Sequence, residues 1–308
     1  MAVLLLWAAL PELSLAQDAG TAMGFSLSVK NPVALAQAGV SLSKGSSSAW
    51  SSFSNPASGA FSGKTLDVAA GWTQWGWSDA GMTFLSAGGN ALIKGNLGVC
   101  AGVSYGLEKE YTNYNSGGLA TGSYRPRNLE ARVGVSYRIL DFLSIGATLG
   151  YLGQKLAPDS SYGAFVANVS AMTRFDFGGN SCLKAMFEGG SLGTPVRSAG
   201  GNGFRLPSFL RAEAGYCFLA GEKHRLEVLG GCSYYFAGSV SASAGVSYGF
   251  DSILFLRGGY CFGGSSPVPS YASAGIGVKF FGVSLDVAYL FASKVLQNSL
   301  GVALGYSF

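Results

Sequence analysis

The sequence predicts an all-β protein, a 14-stranded antiparallel transmembrane β-barrel with an N-terminal lumen plug. Three observations predict it. From residue 64 to residue 308, apolar residues alternate with small polar ones in run after run. Charged residues make up only 12% of the chain and Gly accounts for 47 positions, roughly half and twice ordinary usage. The charges within the runs fall on the side of the small residues.

The alternation is clearest in "SVSASAGVSYGF", residues 239–250. Val240, Ala242, Ala244, Val246, Tyr248 and Phe250 share one face, and Ser and Gly form the other. Period two sustained over such a length means strand. The runs 143–154, 281–291 and 299–308 repeat the pattern. The expected strands are 64–75, 79–88, 92–110, 125–139, 142–156, 162–177, 181–192, 206–219, 224–237, 239–250, 252–262, 270–280, 282–292 and 297–308. A hydrocarbon span of about 25 Å crossed at about 40° needs roughly ten residues, which these runs supply.

Connections after the even-numbered strands are short, at 178–180, 221–223, Asp251 and Gly282. Several after the odd-numbered strands are longer, at 111–124, 193–205 and 263–269. Tight turns at one end and long loops at the other are the habit of outer-membrane barrels.

Charge placement agrees. Glu130 and Arg132 oppose Leu129 and Val133, Arg211 and Glu213 oppose Leu210 and Ala212, and Arg225 and Glu227 oppose Leu226 and Val228. Arg257 and Asp286 also fall on the small, polar face. A cation facing lipid at the midplane costs about 2–4 kcal/mol, so its exclusion from the apolar face is expected. Arg211/Glu213 and Arg225/Glu227, two residues apart, read as structural pairs. Asp67, Arg132, Arg257 and Asp286 read as lumen charges that anchor the plug. Tyr137, Tyr151, Tyr216 and Tyr306 sit near the ends of apolar stripes, as interface aromatics do. A lateral opening needs a strand kink, and Gly189–Gly190 or Gly230–Gly231 are the candidates.

The N-terminus reads in two parts. Residues 1–16, "MAVLLLWAALPELSLA", have an apolar core and end in a small-x-small pattern, a secretory signal peptide without the usual basic start. Residues 17–63 lack sustained alternation and are rich in Ser, Ala and Gly, with Trp50, Phe53 and Phe61 as anchors. They read as a plug, or hatch, inside the barrel of residues 64–308. Asn55 and Pro56 would set a turn in it, Pro by its fixed φ and Asn by bonding its own backbone.

Other classes find little support. No run of about 18 apolar residues follows the N-terminus, which disfavours membrane-spanning helices. The net charge of +4 is spread out, which disfavours nucleic-acid binding. Five Cys at wide spacing, without CxxC, make no disulfide framework or zinc site, and all five read as packing residues. Asn168–Ser170 matches a glycosylation acceptor but falls within a strand. The single His, His224, lies beside a turn, and no nucleophile elbow accompanies it. No catalytic residue, metal or cofactor is expected, and the chain does not read as an enzyme.

Ala38-Gly39-Val40, Ser48-Ala49-Trp50 and Asn55-Pro56-Ala57, taken in order, resemble the plug of FadL-type and PorV/PorQ-type outer-membrane proteins. "LSIGATLGYLGQKL" (143–156), "LFLRGGYCFG" (254–263) and "GIGVKFFGVSLDVAYLF" (275–291) resemble strands of the PorV/PorQ group. The terminal Phe308 is similar to the aromatic signal read by the barrel-assembly machinery. The resemblance implies a plugged barrel of fourteen strands in a bacterial outer membrane, bathed by its lipids. FadL-type members imply passive transport of small hydrophobic molecules such as long-chain fatty acids. PorV-type members imply the alternative, a component of type IX secretion that binds the C-terminal signals of secreted cargo proteins.

Overall fold

The computed structural model describes residues 21–308 apart from 44, 78–80, 159, 178–180, 198–202, 221–222, 264–267 and 293–297. The signal-peptide reading at 1–16 and the turns expected at 178–180 and 221–222 lie outside the described residues.

Fourteen strands form one closed sheet: β1 Leu66–Trp75, β2 Met82–Ile93, β3 Leu97–Glu108, β4 Arg127–Leu140, β5 Leu143–Ala157, β6 Ser160–Phe177, β7 Ser181–Gly193, β8 Phe209–Ala220, β9 His224–Tyr235, β10 Ser239–Phe250, β11 Leu254–Phe262, β12 Tyr271–Phe280, β13 Val283–Ala292 and β14 Ser299–Ser307. Each pairs antiparallel with its sequence neighbours, and β14 returns to β1 to close the ring. The seam is extended by Phe308, whose backbone exchanges hydrogen bonds of 2.8 and 3.1 Å with Leu66. Closure leaves no unpaired edge, the condition for crossing hydrocarbon with strands.

The second and third strands depart from expectation. Their turn falls at 94–96, where Lys94 and Gly95 have φ of +50° and +75°, and not at 89–91. Gly88 and Gly89 stay within β2. The reason is a close approach: a Cβ on Gly88 would collide with the carbonyl oxygen of Ala49. Gly inside a strand often marks such a backbone contact.

Every strand keeps its two faces. Val133, Leu149 and Phe165 are 63, 68 and 66% exposed, whereas Ser144 and Thr148 on the other face are 0 and 2% exposed. The exposed face is the one that lipid covers. Val133→Arg should therefore lower the stability of the assembled barrel by about 2–4 kcal/mol, against a smaller loss for Val133→Leu. The folded fraction in urea titrations of lipid-embedded protein checks this.

The buried face surrounds the N-terminal segment. Its regular pieces are the 3₁₀ turns Gly24–Leu27, Ser48–Trp50 and Pro56–Phe61, and a one-turn helix, α1, Pro32–Leu35. Pro32 suits the first helical position, and the Asn31 side chain accepts the Val33 N–H at 3.0 Å. Leu35 and Ala36 pack on Tyr271, Ala288 and Leu290. Val40, Leu42 and Ala57 pack on Met172, Met186 and Leu229. Ala49 and Trp50 pack on Ala69 and Ala303. These wall residues come from strands all around the ring and from the face opposite lipid, so the segment lies in the lumen. Each large apolar side chain buried there contributes about 1.5–3 kcal/mol.

Between β7 and β8, residues 194–197 and 203–208 turn inward at one mouth. Val196 and Leu206 join Met23, Phe25, Phe84, Leu152 and Val166 in a buried cluster, and the Ala22 N–H donates to the Arg205 carbonyl at 3.0 Å. The opposite mouth is rimmed by tight turns such as 251–253 and Phe281–Gly282, held by positive φ at Asp251, Ser252, Phe281 and Gly282.

Candidate functional site

Strand alternation aims polar side chains of the wall at the N-terminal segment, and their pairing defines the lumen. Lys30 reaches Glu130 of β4 at 2.7 Å, and the same carboxylate accepts from Arg132 Nε at 2.6 Å. Further round, Arg211 of β8 faces Glu188 of β7 at 3.9 Å. The Arg211 Nε donates to Ser233 at 3.2 Å, and its guanidinium lies 4.7 Å from the centre of the Phe209 ring. Glu213 accepts the Ser41 N–H at 2.9 Å and its hydroxyl at 2.8 Å.

The charges expected to pair along single strands also meet partners beyond their own strand. Arg211 pairs with Glu188, the residue opposite it in the ladder. Glu227 takes the Ser43 hydroxyl at 2.9 Å and the Lys184 ammonium at 3.4 Å. Spacing of two along a strand does pair Glu130 with Arg132 and Arg174 with Asp176, whereas Arg211 and Glu227 find partners on other strands.

The remaining predicted residues take up distinct places. Asp67 accepts from the hydroxyls of Ser48 and, at 2.9 Å, Ser62. Arg257 and Asp286 pair with each other at 2.7 Å, across Gly277 of the intervening β12, where a side chain would collide with both. Pro56 opens a 3₁₀ turn, but the Asn55 side chain does not cap it. Instead Asn55 accepts from Ser170 of β6 at 3.1 Å, and Ser170 accepts the Ala57 N–H at 2.9 Å. The Ala57 carbonyl accepts from Ser144 of β5 at 2.8 Å. Asn55 and Ala57, flanking Pro56, thus bond to two wall strands. His224, at the turn-side rim, bonds Tyr248 at 2.6 Å.

The wall is irregular at one mid-strand place. The β6–β7 ladder shifts so that Asn168 alone opposes both Gly190 and Ser191. Ser191 has φ +52° and its N–H donates to Asn168 at 3.1 Å, while the Asn168 amide donates to Glu188 at 2.8 Å. The Phe209 ring occupies the space a side chain on Gly190 would need. This is a β-bulge, with two residues facing one. Gly230–Gly231, the other kink candidate, lies in unbroken ladders. Those glycines do not bend the wall because no extra residue is inserted there.

Cavities line the segment. One of about 190 Å³ lies toward the loop mouth, with Val29, Val40, Trp75, Val268 and Tyr271 as its apolar lining and Arg211, Glu213, Ser233 and Ser241 as its polar lining. A gap of about 40 Å³ shares Val29, Gly39 and Arg211 with it and reaches Arg132, Asn168 and Ser191 at the bulge. A vestibule of about 360 Å³ shares Ser54 with that gap and faces the turn mouth, lined by serines with Lys64, Arg174, Lys184 and Lys279. A larger concavity, about 1110 Å³, lies on the lipid side against Val68, Ala87, Val133, Leu149 and Phe165. Ala70, Ala87 and Ala101 make it shallow, and hydrocarbon fills it in a bilayer. The lumen residues that sequence reasoning passed over are Lys30 and Ser41. A lone Lys in the small-residue run before Asn31 was the available signal for the first.

No family model matches the chain, and no curated protein matches it. Among solved structures, the Ralstonia pickettii toluene transporter TbuX is similar with a TM-score of 0.62 at 12% identity, over 92% of this chain and 100% of that one. The Pseudomonas putida toluene transporter TodX gives 0.57 at 15% identity, over 90% and 97%. A Pseudomonas aeruginosa FadL homologue gives 0.51 at 12% identity, over 92% and 99%. Likeness at these identities is likeness of fold. By fold, then, the chain is a fourteen-stranded barrel of the FadL type.

Proposed function

We propose that the chain is a bacterial outer-membrane channel passing small hydrophobic molecules by passive diffusion, with residues 21–63 as its plug. The observation that carries this reading is the cavity of about 190 Å³ between plug and wall. Its aromatic and aliphatic lining suits an apolar guest, and its place inside a closed barrel gives that guest a way through a membrane. An apolar cavity of about 150 Å³ holds benzene. A single ring therefore fits, and a long acyl chain does not. Solved structures of similar fold are toluene transporters and a monoaromatic hydrocarbon channel, which supports ring-sized substrates over long-chain fatty acids. From the cavity the route continues to the bulge at Gly190–Ser191, where a wall strand offers a lateral exit. The serine- and lysine-lined vestibule beyond is a poor path for an apolar molecule. The hydrogen bonds of Asp67, Glu213 and Asn55 hold the plug, and the exposed Phe308 serves as the assembly signal.

Liposomes tests the reading directly: uptake of labelled toluene by protein with and without residues 21–63. Flux above that of empty liposomes, altered by removing the plug, is expected. Background flux in both forms defeats the channel. Tight binding of a secreted protein's C-terminal segment together with background flux would favour the secretion role instead.

A further inference from the structure

Cys182, the second residue of β7, and Cys217 of β8 stand directly opposite one another in the ladder. Both are on the lumen face, each 1% exposed, and their thiols are in hydrogen-bonding contact. Opposed residues in an antiparallel ladder hold their Cα atoms about 4.5–5.5 Å apart, within the disulfide range of about 4.4–6.8 Å. No other cysteine has this relation. Cys100 opposes Asn90 and Gly134, Cys232 opposes Ala212 and Ala242, and Cys261 opposes Ser243 and Tyr271.

We propose that Cys182 and Cys217 are a cross-link site, joined by a disulfide in the exported protein. The inference rests on the outer-membrane reading for its oxidising compartment. The oxidant class is a protein or small-molecule disulfide. One cysteine thiolate attacks it and releases the first thiol, leaving a mixed disulfide. The second cysteine attacks that bond and releases the second thiol. The pair loses two protons and two electrons, and the oxidant becomes two thiols. Because both sulfurs are buried in the finished barrel, the exchange occurs in transit, before plug and wall enclose them. The bond ties the turn-side ends of β7 and β8 and fixes the register of the two strands. It therefore braces the strand that carries the Gly190–Ser191 bulge.

The test uses full-length protein from outer membranes, with thiols alkylated at lysis and again after denaturation. Of the five cysteines, three should be alkylated before reduction and all five after it. Digestion should yield the peptide of Cys182 joined to that of Cys217. Cys182→Ser and Cys217→Ser should each show four alkylated cysteines before reduction and no joined peptide. Five alkylated cysteines in protein recovered from the outer membrane overturn the cross-link alone, as does a joined peptide with any other partner. A chain that fractionates outside the outer membrane overturns the transport reading and the cross-link together.

Discussion

Glu130→Ala is expected to destabilise the protein by about 3–5 kcal/mol and to release the plug. Lys30, Glu130 and Arg132 are 4, 1 and 3% exposed, so water screens none of them. One carboxylate serves two cations, at 2.7 Å from Lys30 and 2.6 Å from Arg132. Its loss leaves both charges buried without it, which is dearer than losing either cation. Lys30→Met should do less harm, since Glu130 keeps Arg132 and the site passes from one excess positive charge to none. Lys30 belongs to the N-terminal segment and Glu130 to the wall, so this contact joins the two. Protease digestion in proteoliposomes measures the effect: residues 21–63 should be cut faster in Glu130→Ala, while Lys30→Met stays nearer to wild type. Equal resistance of Glu130→Ala and wild type would remove the triad from the plug's anchorage. High salt should change little, because screening acts weakly on buried pairs. The rim pair Arg174–Asp176, with side chains 28 and 59% exposed, is the contrasting case and should be worth little.

The barrel was legible because lipid imposes its demand on every second residue. Val240, Ala242 and Val246 had to be apolar, and their neighbours Ser241, Ser243 and Gly245 had only to be small. That demand repeats strand by strand, so the count of fourteen can be read without knowing a single contact. Contacts across long sequence distances are another matter. Gly88–Gly89 has the composition of a turn and stays in β2 because Ala49 presses on Gly88 from the lumen. Asn55 has the composition of a turn former and spends its side chain on Ser170. Arg211 and Glu213 look paired by spacing, but the register of β7 with β8 brings Glu188 opposite Arg211. The same register brings Cys182 opposite Cys217, which spacing alone treats as unrelated packing residues. What sequence alternation establishes is which face a residue takes. Which residue it meets there depends on register and on the fold of the N-terminal segment.

Filling the cavity near the loop mouth should abolish passage without disturbing the barrel. Ser241 lies on its lining, 6% exposed, and a phenylalanine there would occupy the volume a ring-sized guest needs. The wall at this point is regular, with Ser241 opposite Ser233, so the new ring can enter the cavity without displacing backbone. Some overpacking against Val40 and Tyr271 is expected, and a cost of about 1–3 kcal/mol leaves a folded protein. Uptake of labelled toluene into liposomes should fall by about tenfold or more, equivalent to about 1.4 kcal/mol of lost binding or a higher barrier. Val240→Phe is the matched control. It adds a phenylalanine one residue away on the lipid face, where Val240 is 56% exposed, and should leave uptake unchanged. If both variants transport as wild type does, the guest does not pass through this cavity. If both lose transport, the strand and not the cavity is at fault. Only the difference between neighbouring positions, one facing the lumen and the other lipid, assigns the route to the space between plug and wall.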